Sequence, residues 1–139
     1  MFEKMKYLVR QSFILLLLTF SFGACQPDPK EGIQLLKTQE EMQKEVSRFI
    51  PLGIPTQQAR QIMEDSKFSC EDRKDKKFLV EKRDDNGHRI GEQTIVRGDF
   101  LSCEITHSYF IASTSWQVSL LHKNNRVIMV YAVIYHQNL

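Results

Sequence analysis

The spacing of the apolar residues changes once along this chain, at Phe68, and that change limits the fold more than any other feature. Before it, apolar residues recur every three or four positions, as on one face of a helix; after it, they alternate, as on a strand. The helical part opens at Thr38-Gln39-Glu40-Glu41, a capping box in which the threonine hydroxyl accepts from the Glu41 amide and Glu41 reaches back to the Thr38 amide. Met42, Val46, Phe49 and Ile50 then form one apolar stripe, and Pro51 biases Ile50 out of the α region, so a helix over about residues 39–49 is expected. Leu52-Gly53-Ile54 is a tight link. Pro55 suits the first position of a second helix, over about 55–66, with Ala59, Ile62 and Met63 as its stripe. A link this short makes the two helices neighbours in space.

The alternating part begins with Phe68-Ser69-Cys70 as a short strand. Glu71 to Lys77 is a run of mixed charge and reads as a solvated loop. Phe78-Leu79-Val80 leads to Asn86-Gly87, which supplies the positive φ angles of a two-residue hairpin turn and would set Phe78 opposite Ile95 and Leu79 opposite Thr94. The returning strand, His88 to Val96, is weakly patterned and Gly98 reads as its break, so this hairpin is expected at a sheet edge. Phe100 to Ile105 resumes as a strand, with Leu101, Cys103 and Ile105 on one face. His107 to Thr114 reads as a loop holding Tyr109 and Phe110.

The last hairpin is the best specified. Ser115–His122 and Arg126–Tyr135 flank Asn124-Asn125, two residues that tolerate left-handed geometry. A two-residue loop pairs Leu120 with Met129, Val118 with Tyr131 and Trp116 with Val133, a face expected to meet the helices. Ile128, Val130, Ala132 and Ile134 then lie on the reverse face, opposite the more polar Leu121, Ser119, Gln117 and Ser115. An apolar patch with that rim has the composition of a partner-binding surface. A strand apolar on both faces also suits a central, covered position. The expected fold class is α+β, with two N-terminal helices packed on one face of a small antiparallel sheet.

The N-terminus speaks to location. Lys4, Lys6 and Arg10 precede a largely apolar run from Phe13 to Phe22, which is short of the ~20 residues a membrane-crossing helix needs. Phe22-Gly23-Ala24-Cys25 follows, and it resembles a bacterial lipobox, with Phe22 where the usual pattern has leucine. The resemblance implies a signal peptide over 1–24, cleaved before Cys25, and a cysteine lipidated as a membrane anchor. Gln26 after that cysteine implies the outer membrane, facing the periplasm. Residues 25–37, with Pro27 and Pro29, read as a lipid-anchored tether and 38–139 as the folded domain. With Cys25 carrying lipid, Cys70 and Cys103 remain as a pair in an oxidising compartment and are expected to form a disulfide.

Little points to catalysis. Without residues 1–24 the chain has 16 basic and 16 acidic side chains, and it shows no basic stripe with interleaved aromatics, so nucleic acid is not an expected partner. His88, His107, His122 and His136 are dispersed rather than paired as zinc ligands, and no metal or cofactor is expected. Nucleophile-elbow, metalloprotease and phosphate-loop motifs are absent, and Asp84-Asp85 reads as a turn former. A redox role for the cysteines lacks a Cys-x-x-Cys, and a thiol nucleophile with His107 is disfavoured because Cys103-x-x-x-His107 on a strand puts the two groups on one face but far apart.

Two further runs carry a resemblance: Phe49-Ile50-Pro51-Leu52-Gly53-Ile54-Pro55 with the helix through Met63, and the series Phe68-x-Cys70, Phe100-Leu101-x-Cys103 and Trp116-Gln117-Val118. Together with the lipobox, this order resembles the small outer-membrane assembly lipoproteins of the SmpA/OmlA type and β-lactamase-inhibitor-like domains. The chain departs from the former at Ile54-Pro55, where they place a small polar helix cap, and in its cysteine pair. It is more similar to exported proteins with a helix–Cys–Cys–Trp order. The resemblance implies a lipid-anchored, non-enzymatic envelope protein with a periplasm-facing binding or scaffold domain and an envelope protein as partner. The alternative is an inhibitor or modulator of a periplasmic enzyme.

Overall fold

The computed structural model describes residues 31–138. Helix α1 spans Gln39–Phe49 and α2 spans Thr56–Asp65; the strands are β1 (Ser69–Arg83), β2 (Arg89–Ser108), β3 (Ala112–Lys123) and β4 (Arg126–Asn138). Thr38 caps α1, its hydroxyl accepting from Glu41 N–H at 3.2 Å, and Met42, Val46 and Ile50 are buried along one stripe. Pro55 is the N-cap of α2 rather than its first helical residue, and Ala59 and Met63 are its buried positions. The link between the helices is pinned to the start of β4: Gly53 N–H donates to Val127 C=O at 2.7 Å and Val127 N–H to Ile54 C=O at 3.0 Å. Gly53 makes this turn with a φ of 92°, in the left-handed region where glycine carries no Cβ penalty.

The four strands form one antiparallel sheet in the order β1-β2-β3-β4. The expected architecture, two helices on one face of a small sheet, is corrected here. Strand accounts for 56% of the described chain, β2 alone is 20 residues long, and the helices cover only part of the sheet. Two misread segments explain the difference. Glu71–Lys77 is a continuation of β1, not a loop, because its backbone pairs with β2 while its charged side chains stay in solvent. Charge on an outer strand also discourages pairing with another chain. Gly98 does not break β2; a Cβ there would come within 2.8 Å of Leu121 Cδ1, so glycine leaves room for that side chain.

Register decides which residues are core. Asn124 and Asn125 both adopt positive φ (51° and 60°), and Lys123 pairs with Arg126, the two-residue turn that the sequence implies. A bulge then intervenes. His122 pairs with Val127 but Leu121 pairs with Met129, leaving Ile128 as the extra residue. Beyond it every pair is shifted by one position: Leu120 meets Val130, Val118 meets Ala132 and Trp116 meets Ile134. A one-residue shift sends each β4 side chain to the other face. Ala132 and Ile134 therefore lie in the core with Met42, Val46, Met63 and Leu101, and Val130 packs against it.

The reverse face is not open, so the partner-binding surface expected there is not available. The far half of β1 curls back to β4 across that face. The Phe78 ring lies 4.8 Å from Phe100 and 6.1 Å from Tyr131, and Phe100, Tyr131 and Val133 are buried. At the start of β1, Cys70 and Cys103 stand directly opposite each other and form a disulfide, as expected. The packed domain begins by Ile33, ahead of the expected boundary at Thr38: Ile33 is buried, and Trp116 Nε1 donates to Leu36 C=O at 2.7 Å.

Candidate functional site

Because β1 and β4 are the outer strands of the sheet, their exposed backbone groups need partners where the curl brings them together. Three side chains supply them. Tyr131 Oη accepts from Glu81 N–H at 2.9 Å and donates to Glu81 C=O at 2.8 Å. From α1, Gln43 donates to Val130 C=O and accepts from Ala132 N–H, both at 2.7 Å, as a neighbouring strand would. Gln39 spans the seam, donating to Glu81 C=O at 2.9 Å and to Ala132 C=O at 3.0 Å while accepting from Arg83 N–H at 2.7 Å. Gln39 and Gln43 are one helical turn apart, so both reach the seam from the same side of α1.

Around this seam the side chains are chosen for position as well as polarity. The Glu81 carboxylate accepts from Gln93 Nε2 at 3.0 Å and from Arg83 Nε at 2.7 Å. The Gln93 bond first, and the Arg83 guanidinium after it, hold its carboxyl below the usual range against the opposing effect of burial. Burial raises the Tyr131 and Tyr135 hydroxyls above their ordinary value, and Arg83 lies over the Tyr135 ring at 5.2 Å. The raised Tyr131 phenol stays in the protonated form that its bond to Glu81 C=O requires.

Beside the seam lies a groove of about 750 Å³, between the first turns of α1, the far half of the β1–β2 hairpin and the middle of β4. Val80, Ile90, Met129, Val130 and Tyr131 contribute its apolar lining. Glu40, Lys44, Lys82, Asp85 and Glu92 stand around it with both signs of charge. Val80, set opposite Thr94 just before an irregularity in the ladder between Val80 and Lys82, lines the groove. The hairpin tip is not the two-residue turn expected. Asp84 N–H donates to His88 C=O at 2.8 Å, only Gly87 has positive φ, and Phe78 pairs with Val96 rather than Ile95.

The residues singled out from sequence fall in different places. Cys25 and the signal segment lie outside the described residues. Cys70 and Cys103 are the disulfide. Ile128, Val130, Ala132 and Ile134 do not form one exposed surface, and that reading is corrected by the bulge: Ala132 and Ile134 are buried in the core, and Val130 packs against the core while bordering the groove. Ile128 is exposed beside a separate depression at the Asn124-Asn125 turn. His107 sits edge-on to Trp116, with ring centres 5.3 Å apart. Tyr109 and Phe110 do not fold over the sheet; they project into solvent at the tip of the β2–β3 hairpin. Among the described residues no group of three or more His, Cys, Asp or Glu side chains is placed to hold a metal ion, and no helix is long and apolar enough to cross a membrane.

Sequence reasoning missed the groove. The available signal was the pair Gln39 and Gln43, carboxamides one turn apart beside the apolar stripe of Met42 and Val46. Comparison with protein-family models, with curated proteins and with solved structures finds no match for the chain.

Proposed function

We propose that the chain is a lipid-anchored protein of the bacterial envelope whose folded domain is a non-enzymatic binding module, and that the groove between α1 and the β1–β2 hairpin is its binding site. The anchor rests on Phe22-Gly23-Ala24-Cys25 and the cationic, apolar segment before it. The binding role rests on the groove: an apolar floor of Val80, Ile90, Met129 and Val130 within a rim of mixed charge. A rim with both signs does not select a ligand of one charge. It suits a segment of a partner protein that places an apolar side chain between charged residues, which fits an envelope protein held near the same membrane.

Substitution on the two sides of one strand tests this. Ile90 borders the groove, whereas Ile95, on the same strand, is 67% exposed and outside it. Ile90→Asp should reduce capture of the envelope partner by at least about tenfold, as expected for loss of an apolar anchor, while Ile95→Asp leaves capture unchanged. Equal capture by both variants and the native chain would exclude the groove. Cys25→Ser should release the protein from the membrane fraction, and unchanged fractionation would remove the anchor from the account.

A further inference from the structure

The β2–β3 hairpin ends in three consecutive large apolar residues, Tyr109, Phe110 and Ile111, which are 62%, 100% and 68% exposed. Leaving three such side chains in water forgoes the favourable burial that large apolar groups ordinarily find. The hairpin is not loose: its ladder is unshifted from Asp99↔His122 to Ser108↔Ser113, and Tyr109 N–H closes the tip on Ala112 C=O at 2.7 Å. The tip is therefore held out by a regular ladder.

Charge and chain direction both indicate what receives it. No Asp, Glu, Lys or Arg occurs between Glu104 and Lys123, nor from Val127 to Leu139, although such residues make up 26% of the chain. This end of the sheet can thus approach hydrocarbon without desolvating an Asp, Glu, Lys or Arg side chain from β3 or β4. The segment leading back to Cys25 leaves from the same end. Ile33 N–H donates to Ser66 Oγ at 3.0 Å, and Leu36 is bonded to Trp116, which pairs with Ile105 near the tip rather than with the Asn124-Asn125 end. The eight residues from Cys25 to Gly32, seven steps of chain, span at most ~25 Å, so a lipid on Cys25 and the tip can reach one surface together.

We propose that Tyr109-Phe110-Ile111 inserts into the lipid surface that holds the anchor, giving the domain a second point of attachment and a fixed orientation. An aromatic pair beside an aliphatic residue matches the chemistry of the membrane interface. The proposal rests on the reading of Cys25 as the lipid-bearing residue. Its test uses the full chain recovered from membranes with its native anchor and reconstituted into phospholipid vesicles. Phe110→Trp places a reporter at the tip, and the native protein, with Trp116 alone, gives the baseline. Blue-shifted emission and its loss on adding lipids brominated in the acyl chain are expected for the variant, beyond the change in the native protein. Protein that floats with the vesicles but shows no added quenching overturns the insertion of the tip. Protein that fails to float overturns the anchor, and with it the proposal.

Discussion

In the β3–β4 hairpin, Trp116, Val118 and Leu120 face Ile134, Ala132 and Val130 across the ladder, and the helices close over them. In the far half of the β1–β2 hairpin, Leu79 faces Ile95 with both side chains exposed, and strand pairing continues nonetheless. One hairpin is held by apolar burial. The other is held by a disulfide at its base, by Gln39 and Tyr131 where it returns to β4, and by Phe78 packed beside Phe100 and Tyr131. The difference teaches that the seam beside the groove has a local support and can be weakened with limited effect on the core, whereas loss of the core takes both hairpins with it.

The largest effect is expected in the first region. Leu120 is fully buried, and Leu120→Ala should cost about 3 kcal/mol, read from the denaturation midpoint, because a cavity adds to the lost transfer energy. The groove hairpin should lose its structure together with the rest of the domain. A loss confined to one hairpin would contradict a shared core.

Reduction of Cys70–Cys103 comes next. The bridge closes a loop of about 34 residues, so reduction should lower stability by roughly 3 kcal/mol and loosen β1 before β3 and β4. Alkylation of the native protein should find neither thiol free. Two reactive thiols would remove the covalent support from the comparison.

How much of this was legible follows from the same two regions. Asn124-Asn125 announces its turn because both residues accept positive φ, and the structure shows both there. The bulge at Ile128 leaves no such mark. Ile128 to Ile134 is apolar at nearly every position, so alternation cannot choose between the two registers, and a single unpaired residue exchanges the faces. In the β1–β2 hairpin the opposite problem arises: Glu71–Lys77 has no apolar alternation, yet backbone pairing suffices to make it strand. The disulfide was readable from the cysteine count, once Cys25 is set apart. The groove was not, because it joins Gln39 and Gln43 to residues 87 to 93 positions away, contacts that no local pattern encodes.

Gln39→Ala should sharpen the comparison with a smaller effect. It removes three bonds at the seam and should cost about 2 kcal/mol, less than the core substitution. Hydrogen exchange should accelerate at the Arg83 amide while the Val118 amide stays protected. Equal acceleration at both sites would mean the two supports are not separate.

The smallest effect concerns pH. The Glu81 carboxyl is held below its ordinary value in the folded state, so the folded state favours its charged form. The stability it contributes is present above the ordinary carboxylate range and is lost as pH falls through the lowered folded value. Glu81→Gln should lower stability above the carboxylate range and leave it nearly unchanged at low pH, where Glu81 is protonated, so that part of the acid unfolding curve flattens. An identical acid limb in both proteins would show that the seam does not depend on this charge.

The most direct measurement places a photo-activated crosslinker at Ile90 or at Ile95 of the anchored protein in intact cells. The two positions share one strand, and only Ile90 lines the groove. A partner crosslinked from position 90 and not from position 95 is the predicted result. Crosslinking from position 95 with none from position 90 would contradict the groove as the binding site.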